Sequence, residues 1–157
     1  MHRVVVLALD GVILFELSVP LRIFGDAVGA DGEPLYDIRT CTVDGGAVRS
    51  DTGLGITVTD GPAVLADADT VIIPPTKWPE ASCPDGRLAA PVAAALAAIR
   101  PGTRIVSICT AAYVLAAAGL LDGHRPPRTG GRPITSGAGT RRCGWIRMCC
   151  SSTTATC

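Results

Sequence analysis

Apolar residues along this chain fall into two alternating styles. Short unbroken runs, "RVVVLAL" (Arg3 to Leu9), "DTVIIP" (Asp69 to Pro74) and "RIVSI" (Arg104 to Ile108), show no polar alternation. That is the pattern of strands buried on both faces of a parallel sheet. "YDIRTCT" (Tyr36 to Thr42) and "GITVT" (Gly55 to Thr59) read as further strands, with "DGGAVRSDTG" between them as turns. "SVPLRIFGDA" predicts a helix with Ser18 as N-cap, Pro20 in the first turn, and Leu21 and Phe24 on one face. "LAAPVAAALAAIR" (Leu88 to Arg100) is helical by propensity, and "TAAYVLAAAGLL" from Thr110 predicts a last helix with Gly123 available as its stop. Strands alternating with helices predict a doubly wound α/β fold, a mainly parallel sheet flanked by helices. Beyond Gly123 the pattern dissolves, so residues 1–124 are the expected domain and 125–157 a non-native-looking tail.

Composition agrees with one globular domain: 157 residues, 48% hydrophobic and 18% charged. The formal net charge of zero hides a break, because residues 1–124 carry eight Lys or Arg against fourteen Asp or Glu, whereas 125–157 carry six Arg and no acid. Asp10 and Glu16 interrupt the apolar start and no signal-type cleavage site follows, and "AAYVLAAAGLL" is far shorter than the roughly 18 apolar residues of a membrane span. The expected compartment is the cytoplasm, with no membrane partner and with the seven cysteines as free thiols.

The sharpest chemical feature is "RIVSICTAAYVLAAAGLL", a buried strand, one cysteine, and at once a helix. A side chain on such a turn is pushed above the carboxyl edge of the sheet, and the helix N-terminus behind it favours a thiolate at Cys109. On position alone a structural cysteine in the core is an equal reading.

This segment, with "LALDGVILFELSVPLRIFGDA" near the start and "GLLDG" at Gly119 to Gly123, resembles the ThiJ/PfpI superfamily, whose fold is flavodoxin-like and of the class I glutamine amidotransferase type. "IVSICTAAYVLAAAGLLDG" is most similar to the amino-terminal half of AraC-type (GlxA-like) transcription regulators in that superfamily. The resemblance implies that an acid from the first strand-helix connection, here Glu16 in "FELSVP", meets Cys109, with Thr110, Pro75 and Thr76 around the ligand. Two full negative charges at contact would repel, so the carboxyl would be protonated or share a proton with the sulfur. Without the resemblance Glu16 is an ordinary exposed acid near a helix start.

Two departures argue against catalysis. Superfamily enzymes carry Gly-Gly where "VIIPPTKWPE" puts Pro74, Pro75 and Thr76, and proline has no N–H to offer an oxyanion. They also commonly have Gly soon after the cysteine, where this chain has Ala111. A base is hard to find, since His2 reads as a solvated terminal residue and His124 lies at the end of the recognisable region. Cys41 reads as a core or sheet residue and Cys83 as a loop cysteine without a role, and Trp78 is a candidate lid.

The tail "CGWIRMCCSSTTATC" lacks paired metal-ligand spacing and a following histidine, so no metal and no cofactor is expected. Out-of-frame translation explains it better. Reading the last base of each codon with the next two, Trp145-Ile146 gives Asp, Met148-Cys149 gives Val and Cys149-Cys150 gives Leu, the Asp-x-x-Val-Leu spacing of AraC-type relatives. Loss of one base near Arg125 also yields His124 to Gly130 from a His-Arg-Ala-Thr-Thr-His-Trp segment. The expectation is a truncated chain, its sheet incomplete at the C-terminus and its helix-turn-helix domain missing. Its expected role is a ligand-sensing or dimerisation domain of an AraC-type regulator, a homodimer with a small-molecule effector, touching DNA only through the missing domain. The alternatives are a cysteine-dependent hydratase, amidase-like hydrolase or glyoxalase-like enzyme using Cys109 and Glu16, or a thiol redox sensor.

Overall fold

Successive side chains of β1 (His2–Leu7) enter two separate cores, which decides the layers. Val5, Leu7 and, just beyond the strand, Leu9 pack into one core, and Val4, Val6 and Ala8 into the other. Such a strand must be covered on both faces, which is why the sequence shows no alternation. The structure is a computed structural model describing residues 1–122.

The chain continues through α1 (Leu14–Gly25), β2 (Tyr36–Cys41), a hairpin of β3 (Val48–Arg49) and β4 (Gly55–Ile56), β5 (Thr70–Ile73), the single turn α2 (Pro79–Ser82), α3 (Ala90–Ala97), β6 (Arg104–Ser107) and α4 (Ala112–Ala117). The main sheet has the order β2-β1-β5-β6, and all its pairings are parallel. On one face lie α3 and α4, through Val92, Ala95, Leu96, Val114 and Leu115. On the other lie α1, through Leu17, Leu21 and Phe24, and the hairpin, through Val48 and Ile56. Each fully buried side chain of this size contributes about 1.5–3 kcal/mol. Among the described residues the fold is the expected doubly wound parallel sheet flanked by helices.

Several boundaries differ from the sequence reading. Helix α1 starts at Leu14, with Ile13 as N-cap, so Ser18 is not its cap. Ser18 Oγ instead donates back to the carbonyl of Phe15 at 2.6 Å, and Pro20 sits inside the helix, leaving the Glu16 carbonyl without the donor four residues on. The hairpin strand β3 falls within the segment read as turns. Helix α4 ends at Ala117, and Gly119, at φ +73°, turns the chain there rather than Gly123. Gly123, His124 and the whole tail, with its frame and truncation, lie outside the described residues.

The amino edge of the sheet is closed by its own contacts. His2 is half-buried, its Nε2 2.9 Å from Thr70 Oγ1 and its ring edge-on to Tyr36, so it is not a solvated terminus. Asp69 accepts the Arg3 amide at 2.8 Å, which holds its carboxyl below the ordinary value.

Candidate functional site at the carboxyl edge

The order β2-β1-β5-β6 places a switch point between β1 and β5, because the chain leaves β1 toward one side and β5 toward the other. Ligands of such sheets bind in the crevice above the carboxyl ends at that point. Three connections meet there: Ala8 to Ile13 after β1, Pro74 to Trp78 after β5, and Ile108 to Ala111 after β6.

Short hydrogen bonds tie these connections together. The Ile13 amide donates to the Pro75 carbonyl and the Lys77 amide to the Gly11 carbonyl, both at 2.9 Å, so that Val12 and Thr76 form an antiparallel bridge. From the other side Thr110 Oγ1 donates to the Thr76 carbonyl at 3.1 Å. The Pro75–Thr76 segment thus lies between the first turn of α1, which carries Glu16, and the turn that carries Cys109. Both Pro75 and Thr76 are buried, while Thr110 is half-buried beside the cysteine.

Cys109 is exposed and has φ +52°, left-handed backbone that a residue with a Cβ adopts only at a cost of about 1–2 kcal/mol. The backbone must reverse within one residue between the end of β6 and the short 3-10 turn Cys109–Ala111 that opens α4. Ala111, already at φ −61° and buried in the core, needs no glycine.

Glu16 is half-buried, and its Oε2 is shut off from solvent without a hydrogen-bond partner among the described residues. An orphaned buried oxygen costs about 1–3 kcal/mol, and such groups concentrate where a site awaits a proton or a ligand. Trp78 is 44% exposed and packs on Gly11, where an added Cβ would stand 2.7 Å from its Cε3. Gly11 at φ +78° both makes the turn and leaves room for this indole at the crevice.

The other thiols are different. Cys41, fully buried at the end of β2, has its pKa pushed up to about 12, first by burial and then by the Asp60 charge. Cys83 is half-buried with its thiol raised by desolvation, its Sγ 3.9 Å from the Tyr113 carbonyl. No group of three or more His, Cys, Asp or Glu residues is placed to hold a metal ion among the described residues.

Asp51 went unread in the sequence, although its Oδ1 accepts the Leu14 amide at 3.1 Å and so caps α1. Only its Asp-Thr-Gly turn context was visible; the helix it caps lies thirty-seven positions earlier.

Comparison with known proteins places this geometry. The DJ-1/PfpI family profile matches residues 2–130. An uncharacterized protein from the cpoL 5' region of Streptomyces lividans is 40% identical over 127 residues, 79% of this chain and 84% of that protein. A DJ-1 superfamily protein from Agrobacterium tumefaciens shares the fold with a TM-score of 0.57 at 23% identity, covering 78% of this chain and 61% of that one. An AraC family transcriptional regulator from Pseudomonas putida does so with a TM-score of 0.52 at 22% identity, covering 78% and 63%. The chain therefore spans less than two thirds of these two solved chains.

Proposed function

The chain belongs to the DJ-1/PfpI family, and on that premise we propose that it serves as the ligand-sensing domain of an AraC-type transcription regulator, with the crevice between Glu16 and Cys109 as the effector site. The observation that carries this reading is the pair of prolines that follows β5. Pro74 and Pro75 are both fully buried and supply no N–H where acyl-transfer chemistry would need a donor. No histidine base stands at the crevice among the described residues, since His2 is held by Thr70 at the opposite edge of the sheet. Binding without turnover needs neither. The likeness of "IVSICTAAYVLAAAGLLDG" to AraC-type regulators and the shared fold of the Pseudomonas putida regulator support the same role. Any DNA contact would fall to sequence outside residues 1–122. The domain would work in the cytoplasm as a homodimer, to which the exposed Phe15 (73%) and Ile23 (61%) on α1 lend an apolar surface. No described helix is long and apolar enough to cross a membrane.

A second reading, a cysteine-dependent enzyme or thiol redox sensor, is favoured by the exposed left-handed Cys109. One experiment separates them: thermal unfolding of the full chain against a panel of small metabolites, with Cys109 alkylation followed by peptide mass spectrometry. Sensing predicts a compound that raises Tm and slows alkylation of Cys109 without being consumed. Consumption of that compound, abolished by Cys109→Ser, would replace the sensor with the enzyme. A panel that moves neither Tm nor alkylation, with reversible oxidation of Cys109 by peroxide, would favour the redox sensor.

A further inference from the structure

Helix α1 carries Glu16 in its first turn but brings no side-chain cap of its own, because Ile13 occupies the N-cap position. The cap comes from elsewhere. Asp51, in the turn that joins β3 to β4, accepts the Leu14 amide on Oδ1 at 3.1 Å, two residues before Glu16. Its own amide donates to the Val12 carbonyl at 2.9 Å, and its carbonyl accepts Lys77 Nζ at 3.3 Å. One residue thus grips the connection after β1, the first turn of α1 and the connection after β5.

The turn that presents Asp51 is itself stiff. Ser50 is fully buried and bridged to Val12; its amide donates to the Leu54 carbonyl at 2.8 Å, and its Oγ accepts the Leu54 amide at 3.0 Å. Gly53, at φ +86°, closes the turn with a 3.0 Å bond to the Ser50 carbonyl. A rigid turn and three bonds from one residue transmit a fixed position to whatever follows Leu14.

We propose that Asp51 is a positioning residue, holding the first turn of α1 so that the Glu16 carboxyl stands at the crevice where it acts on Cys109. The proposal rests on the reading that Glu16 and Cys109 share one site. Asp51 acts through Glu16 and touches no ligand.

The test is the rate of Cys109 alkylation by iodoacetamide in the full chain, read by peptide mass spectrometry. Glu16→Gln is expected to slow it at least threefold, and Asp51→Ala by a similar factor. Asp51→Asn, which keeps the acceptor for the Leu14 amide, is expected to restore the native rate, and Asp51→Ser to fall between. In a Glu16→Gln background, Asp51→Ala is expected to change the rate by less than twofold, since its effect passes through Glu16. Far-UV circular dichroism checks folding, and if Asp51→Ala is unfolded the Asp51→Ser and Asp51→Asn pair carries the comparison. A rate unchanged in Asp51→Ala and Asp51→Ser while Glu16→Gln slows it overturns the latch alone. A slowing by Asp51→Ala that persists undiminished beside Glu16→Gln also overturns it, because the effect is then merely structural. If Glu16→Gln itself leaves the rate untouched, the shared site fails, and the latch with it.

Discussion

Two cysteines follow parallel strands at the same edge of the same sheet and have opposite fates. Cys41, the last residue of β2, continues the strand into an extended backbone, is fully buried, and holds its proton up to about 12. Cys109, just past the end of β6, is forced into left-handed backbone and stands exposed. The strand end is thus not what makes a cysteine available for chemistry. What differs is the next few residues, a loop bonded back to Asp60 after Cys41 and a 3-10 turn entering a helix after Cys109. Position counts too, since β6 adjoins β5 at the switch point and β2 lies on the outer side of β1.

Alkylation rates test this contrast most severely. Cys41, with its pKa raised from 9 to about 12, has roughly a thousandfold less thiolate at neutral pH than an unperturbed thiol, and burial slows it further, so exposed Cys109 should react far faster than Cys41. Because the pKa is raised, Cys41 stays almost wholly neutral throughout pH 6 to 9, so its slow alkylation should climb about tenfold per pH unit across that range without levelling off. Equal rates in the folded protein, measured peptide by peptide, would break the comparison. Stability gives a second, smaller test. Cys41→Ser puts a hydroxyl into the dry core at a cost of about 1–3 kcal/mol, whereas Cys109→Ser should stay within about 0.5 kcal/mol of the native chain in urea unfolding. A reversed order of the two midpoints would mean that Cys109, not Cys41, is the structural thiol.

The layers and Cys109 were legible because both are written locally. Unbroken apolar runs mark doubly covered strands, and a strand, one residue and a helix mark the turn that exposes a side chain. Helix α1 was misplaced because Pro20 and Ser18 imitate a helix start, although Leu17, Leu21 and Phe24 already lie on one face from Leu14 onward. Asp51 and His2 were out of reach for another reason: each earns its role from a partner thirty-seven or sixty-eight positions away. Local pattern carries no information on which distant amide or hydroxyl a polar side chain will meet. The buried segment at Pro75 and Thr76 was half legible, since the missing N–H of Pro75 shows in the sequence and the burial does not.

The smallest expected effect is also the most pointed, because it has opposite signs at the two cysteines. At Cys109 the φ of +52° is unfavourable for any residue with a Cβ, and glycine is free of that penalty. Glycine also gives the unfolded chain more freedom, which offsets part of the gain. The balance predicts that Cys109→Gly raises stability by about 0.5–1 kcal/mol while abolishing the site thiol. Cys41→Gly removes a buried side chain from regular extended backbone, gains no such relief, and should lower stability by about 1–3 kcal/mol. Urea unfolding of both variants reads the two signs directly. If Cys109→Gly is destabilised as well, the left-handed turn is not strained, and the case that backbone tension is retained there for the sake of an exposed thiol falls with it.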